Sequence, residues 1–314
     1  MSHLSLPLQR TGAAALGERD GPLVRGFAHR LRLYLAVTDP RSVSLLVFTA
    51  LASGIVAGGL HAPARLVGIC FALALSCMGA RAVANYIDRD IDALMERTRR
   101  RPLPSGQLPP AHALLLGSGL IAAGLLVALT FGPLIVLLIS CGLADNLIVY
   151  ALLTKRTSPL SIVLGAPSGG APAFVGYVAV TGAVTLPGIL LATFVMLWTP
   201  IHIWSLAIRS RDDYARANVP MLPVAIGVRR SARYIGLASL ALAGFTVLFL
   251  AAPGAHVVLP IASVVLGLAV ALVLASVWLV RAPSKEHAWS LFKFTSPYLA
   301  LLFGLLALNA IVVG

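Results

Sequence analysis

Residues 85–106 read NYIDRDIDALMERTRRRPLPSG and gather four carboxylates (Asp88, Asp90, Asp92, Glu96) and five arginines into one stretch. They do so in a chain of 314 residues of which only 11% are charged and 59% are hydrophobic, far from the balance of an ordinary soluble protein. Outward from this charged island the sequence is mostly hydrocarbon. A bilayer core about 30 Å thick takes roughly 20 apolar residues per helix, and nine such runs are present, near 42–60, 66–87, 112–130, 133–153, 160–180, 186–207, 234–252, 256–280 and 292–313. They are continuous rather than alternating, which excludes a transmembrane barrel. The expected fold is all-α: a polytopic membrane protein of about nine transmembrane helices.

The excess of basic residues, a net charge of +13, has a topological reading that does not need nucleic acid as partner. Of the 24 Lys and Arg residues, only Arg65 lies in a connection predicted to face away from the rest. Basic residues stay on the cytoplasmic side. The N-terminus and the connections after the second, fourth, sixth and eighth spans are therefore expected there, with the C-terminus opposite. Residues 1–35 carry several arginines and no apolar run, so they read as a basic, mobile cytoplasmic tail in front of one intramembrane domain, 36–314. Cys70, Cys77 and Cys141 fall inside predicted spans and suggest no disulfide framework.

On a helix, Asp88 and Asp92 lie about 40° apart, with Asn85 one turn earlier on the same side and Asp90 opposite. Two carboxylates stacked one turn apart repel unless a cation sits between them. All-oxygen donors with no His or Cys nearby favour Mg2+, which is held by carboxylates together with phosphate oxygens. Arg97, Arg99, Arg100 and Arg101 can offer forked donors to phosphate. A second acidic pair, Asp212 and Asp213, is flanked by Arg209, Arg211 and Arg216 and can hold another Mg2+. Together these residues describe a diphosphate cradle. The plainer alternative is a set of interfacial charges that mark topology.

The stretch 85–106 is similar to the first aspartate-rich motif of the intramembrane prenyltransferases, the UbiA superfamily, and most similar to the branch that farnesylates heme b to give heme O. The resemblance runs through VYALLTKRTSP (149–159), GAPAFVGYVAVTG (170–182), WTPIHIWSLAI (198–208) and DDYARANVPMLPV (212–224). It implies nine helices around a central cavity open to the cytoplasm, in the cell membrane of a prokaryote. There Mg2+ on two aspartate motifs binds an isoprenyl diphosphate, farnesyl diphosphate in that branch. Carried over by residue, Asp88 and Asp92 are metal ligands of the first motif and Arg97 and Arg101 lie near the diphosphate. Asp213, which precedes Tyr214, is the metal ligand of the second motif in preference to Asp212; Lys155 and Arg156 form a basic pair. The pattern departs from the family's at Ala84, where Asn is usual, at Asp39-Pro40-Arg41, usually K-P-R, at Ser161 and at Ile201.

The reaction so implied is ionisation of an allylic diphosphate, with cations neutralising the departing pyrophosphate in a cavity that keeps water from the carbocation. His202, within the sixth run, is placed to contact the iron or propionates of heme b, or else packs between helices. Asp145 and Asn146 stand in mid-span, where a carboxylate usually faces a cavity. Trp198, Trp204 and Tyr177 can wall the acceptor. Three other readings are a terpene cyclase acting without acceptor, a prenyltransferase for another aromatic acceptor, and a transporter. The charges gather at helix ends instead of along a path through the midplane, which speaks against the last.

Overall fold

The computed structural model describes residues 22–252 and 256–313, and among them there is no strand. Eight helical segments in these residues are long and apolar enough to cross a membrane, and the pair His29–Thr38 and Pro40–Val56, bent by 49°, makes a ninth. The all-helical membrane fold read from the hydrophobic runs is thus the one formed.

Helix α1 (Pro22–Thr38) begins inside the stretch read as a tail, and residues 1–21 of that tail lie outside the described residues. The bend into α2 (Pro40–Val56) has a local cause. Pro40 has no N–H to donate, and its ring pushes the preceding residue out of the helical region. Asp39 takes the left-handed conformation at φ 45°, which a short polar side chain tolerates. Its Oδ2 accepts hydrogen bonds from Ser42 Oγ at 2.7 Å and from Arg81 at 3.0 Å, so the elbow is fastened to the next span.

Helix α3 (Pro63–Leu94) has 32 residues and is therefore about 48 Å long, well beyond a hydrocarbon core of about 30 Å. Its surplus turns carry Asp88 and Asp92 out to the polar edge. The chain continues through α4 (Pro110–Leu129), α5 (Pro133–Ala144), α6 (Ser161–Leu164), α7 (Ala166–Thr181) and α8 (Leu186–Arg209). The last elements are α9 (Arg211–Arg216), α10 (Leu222–Ala225), α11 (Val228–Ala251), α12 (Leu259–Arg281) and α13 (Lys285–Val313). A proline in the first turn opens most of the spans, where its missing N–H costs nothing. Helix α5 does not stop at Ala144: it continues as ten residues of π-helix, Asp145–Thr154.

Helices α2, α7, α8 and α13 pack in a closed ring, with α3 and α5 against α7 on one side and α11 and α12 against α8 and α13 on the other. Lipid gives helices no hydrophobic reason to associate, so small residues must allow close approach. A Cβ added to Gly79 on α3 would lie 2.6 Å from the carbonyl oxygen of Gly117 on α4, so no larger residue fits there without parting the two helices. The ends of α3, α5 and α8 and the starts of α2, α4, α7 and α13 share one end of the bundle, and both aspartate motifs lie there. At the other end a cavity of about 690 Å³, lined mostly by apolar side chains, opens between α2, α8, α11 and α13.

Candidate active site

Helical periodicity sorts the first motif as its spacing requires. Asp88 and Asp92 are 8% and 6% exposed, while Asp90 faces solvent. Lys155 donates a short hydrogen bond to Asp88 Oδ2. The π-helical end of the α5 span delivers it: in that wider coil Lys155 N bonds back to Tyr150 O at 2.8 Å, and the ammonium stands 5.6 Å from the Tyr150 ring centroid. Such segments recur at functional positions. Burial alone would lower the Lys155 pKa, but its neighbours Tyr150 and Asp88 reverse the sign and raise it, so the side chain stays a cation.

Arg101 donates to Asp92 Oδ2 at 2.9 Å and approaches Asn85 Oδ1 at 3.4 Å. It returns to the acid nine residues upstream because the loop after α3 folds back on itself. Thr98 Oγ1 donates to Asp92 O at 2.9 Å, and Leu103 and Leu108 pack with Val37, Ala82 and Ala113. Asn85, read with the metal ligands, has another engagement: its Nδ2 donates to Val37 O at 2.7 Å, tying α3 to the end of α1.

The two aspartates of the second motif point apart. Asp213 turns inward and accepts from the backbone N–H of Glu96 at 3.0 Å and of Arg97 at 3.4 Å, besides pairing with Arg216. It thereby joins α9 to the loop that carries Arg97 and Arg101. Asp212 points outward to Lys285 Nζ at 2.6 Å, and that hydrogen bond holds its carboxyl below the usual carboxylate range. Tyr214 is buried beneath this corner.

Several expected site residues lie elsewhere. Arg156, paired with Lys155 in the sequence reading, turns away to grip Asp90 through two bonds of 2.6 and 2.7 Å and Ile87 O at 2.8 Å. Asp145 Oδ2 accepts from Ser168 N at 2.8 Å, in the first turn of α7, so the mid-span carboxylate caps a neighbouring helix. Asn146 lines a cavity of about 70 Å³ below it, with Arg81 and Ser168. Tyr177 lines the large cavity at the opposite end of the bundle, remote from the aspartates. His202 Nδ1 is 2.7 Å from Thr295 Oγ1, and its ring is stacked between Trp198 and Phe292, each at 4.4 Å. Trp198 Nε1 donates to Thr295 O at 2.7 Å.

Among the described residues, no three His, Cys, Asp or Glu side chains converge as a metal cluster; Asp88 and Asp92 are closed by Lys155 and Arg101 instead. The donors nonetheless suit a divalent cation. Asp88 Oδ1 is buried with no hydrogen-bond partner, a costly state for a carboxylate oxygen that a cation would relieve. A hard, all-oxygen set beside Lys and Arg suits Mg2+ together with phosphate.

Two residues could not be singled out from sequence. Tyr150 reads there as one more apolar-span residue, and Arg81 as a charge near a span end; only folding reveals Lys155 above the one and Asp39 against the other.

Residues 45–305 match the model of the UbiA prenyltransferase family. The chain is 43% identical over 306 residues to the protoheme IX farnesyltransferase of Desulforudis audaxviator, with 96% of each chain covered. It is 39% identical over 277 residues to that of Thermoplasma acidophilum, with 86% of this chain and 95% of the relative covered. Among solved structures, a digeranylgeranylglyceryl phosphate synthase superposes with a TM-score of 0.72 at 17% identity, covering 90% of this chain and 99% of the other. A UbiA homologue from Archaeoglobus fulgidus bound to GPP and Mg2+ superposes with a TM-score of 0.60 at 16% identity, covering 87% and 99%. At such identities the structures speak for the fold alone.

Proposed function

The chain belongs to the UbiA prenyltransferase family and is an integral membrane prenyltransferase; from that premise we propose that it transfers the farnesyl group of farnesyl diphosphate to heme b, giving heme O. The observation that carries the donor half is the buried pair Asp88 and Asp92, one oxygen orphaned, with Lys155 and Arg101 laid against it. The acceptor half rests on the relatives of 43% and 39% identity named for that activity.

A Mg2+ held by Asp88 and Asp92, with Asp213 of the second motif as a further ligand, would neutralise diphosphate charge as the leaving group departs. The chain's own groups do the rest. Lys155 and Arg101 exchange their carboxylate partners for phosphate oxygens, and Arg97, exposed and in no ion pair among the described residues, adds a forked donor. As the bond from C1 to the diphosphate oxygen breaks, this preorganised positive field stabilises the leaving group most when its charge is greatest. The electron pair of a heme vinyl group closes on C1, and the resulting cation takes up one water and loses a proton to give a hydroxyethylfarnesyl substituent. The prenyl chain lies among apolar helices, which keep further water from C1. By the distribution of Lys and Arg, the aspartate end faces the cytoplasm, and 36–314 acts as the catalytic domain behind its basic N-terminal segment.

The test is to incubate the purified protein with farnesyl diphosphate and Mg2+, with and without heme b, and identify products by mass spectrometry. Farnesylated heme formed only in the complete mixture is expected. Efficient release of a terpene hydrocarbon or alcohol without acceptor would replace this reading with a cyclase.

A further inference from the structure

A further pocket, of about 570 Å³, meets the donor side at one edge, and neither Asp88 nor Asp92 lines it. It opens between the loop after α3, the end of α8 and the start of α13, and it shares Arg97 and Asp213 with the donor side. Its volume is within the roughly 300–1,000 Å³ that takes a drug-sized ligand. Three further cations line it, Arg209, Arg216 and Lys285, and its one aromatic wall is Trp289.

Trp289 is the outer member of a pile of rings. It lies 5.1 Å from Phe292 at an interplanar angle of 14°, Phe292 lies 4.4 Å from His202 at 25°, and His202 lies 4.4 Å from Trp198 at 18°. Trp198 is buried at the inner end, while Trp289 is 37% exposed. The Trp289 indole is thus held in a fixed plane by the rings behind it, with Lys293 Nζ 5.8 Å from its centroid, and it is the wall on which an aromatic molecule in the pocket can stack.

The cations beside that wall are loosely committed. Lys285 pairs with Asp212 at 2.6 Å, and Arg209 reaches Glu286 only at 4.0 Å; in both pairs each side chain is about half exposed or more. Exposed pairs contribute roughly 0–1 kcal/mol, so an incoming carboxylate displaces the acid to water at little cost. Arg216 is held more firmly, by Asp213 and Glu96.

We propose that this pocket is the acceptor site: the macrocycle lies on Trp289 and its two propionates are held by Arg209 and Lys285. The proposal rests on the heme b reading above and deepens it. It sets the acceptor beside Asp213 and Arg97, so that a vinyl edge faces the carbon that loses diphosphate.

The test uses the full-length wild-type protein, an Arg209→Gln/Lys285→Gln double variant and Trp289→Leu. Each is titrated with iron protoporphyrin IX and with its dimethyl ester, followed by Soret absorbance, and the KM values for heme and farnesyl diphosphate are measured. Loss of two charge-assisted contacts should weaken heme binding and raise its KM about tenfold or more, with the KM for farnesyl diphosphate unchanged. The diester should bind wild type and double variant alike, at the double variant's affinity for the acid. Trp289→Leu should weaken acid and diester together. A double variant that binds heme as wild type does, or a wild type that binds diester as tightly as acid, overturns the site while leaving heme farnesylation intact. Wild-type protein that makes no farnesylated heme removes the underlying reading as well.

Discussion

Asp88→Ala should damage the protein twice, and the two injuries separate. The side chains of Asp88 and Lys155 are only 11% and 13% exposed, and removing one member of a buried ion pair leaves the other charged and uncompensated, at about 3–5 kcal/mol. For a chain of 314 residues that lowers the thermal midpoint by roughly 5–8 °C, measured in detergent by tryptophan fluorescence. Turnover should fall by about 100-fold or more, the scale of losing one strong electrostatic stabiliser. Adding Lys155→Met removes the stranded charge, so the double variant should regain most of the lost stability and remain inactive. Asp92→Ala is the control. Its partner Arg101 is 39% exposed and stays hydrated, so turnover should drop similarly while stability changes by about 1 kcal/mol or less. Asp88→Ala with wild-type turnover would refute the assignment of the acid, and a double variant less stable than the single one would refute the buried pair.

Three further outcomes are expected. Asp90→Ala breaks an exposed pair with Arg156 and should alter turnover by no more than about threefold and stability by less than about 1 kcal/mol. Asp145→Ala removes the cap on α7 and should cost about 1–2 kcal/mol of stability, whereas Asp145→Asn, which keeps an acceptor oxygen, should cost less; thermal midpoints decide. Asp213→Ala frees the Glu96 and Arg97 amides, so hydrogen exchange of the loop at 95–97 should accelerate while turnover falls by about 100-fold.

What was legible in the sequence divides along a physical line. The spans, the inward turn of Asp88 and Asp92 and the outward turn of Asp90 follow from composition and helical period, which are local properties. The preference for Asp213 over Asp212 comes from a family pattern and not from spacing; that Asp213 also accepts two backbone N–H groups from the first motif's loop depends on the folded chain. Features that depend on distant partners were not legible. The π-helical stretch at Asp145–Thr154 forms from residues that read as ordinary α-helix, so the reading of Asp145 as a pocket carboxylate missed Ser168 N. Asp39, in sequence only a departure from the family's pattern, anchors an elbow because Arg81 lies across from it. Arg156 was grouped with Lys155 as its neighbour in sequence, but adjacent residues in a turning chain diverge, and Asp90 was the available acid. Helix α1 carries three arginines and no long apolar run, so hydropathy alone gives no sign of a helix over Pro22–Thr38.

The role of the acidic pair is tested most directly by calorimetric titration of the purified protein with an unreactive farnesyl thiodiphosphate, with Mg2+ and again after chelation. Binding should be at least about tenfold tighter with the metal, and an Asp88→Asn/Asp92→Asn variant should lose that difference. Equal affinity with and without Mg2+, or a metal effect that survives both substitutions, would contradict the assignment of these two carboxylates as the grip on the diphosphate.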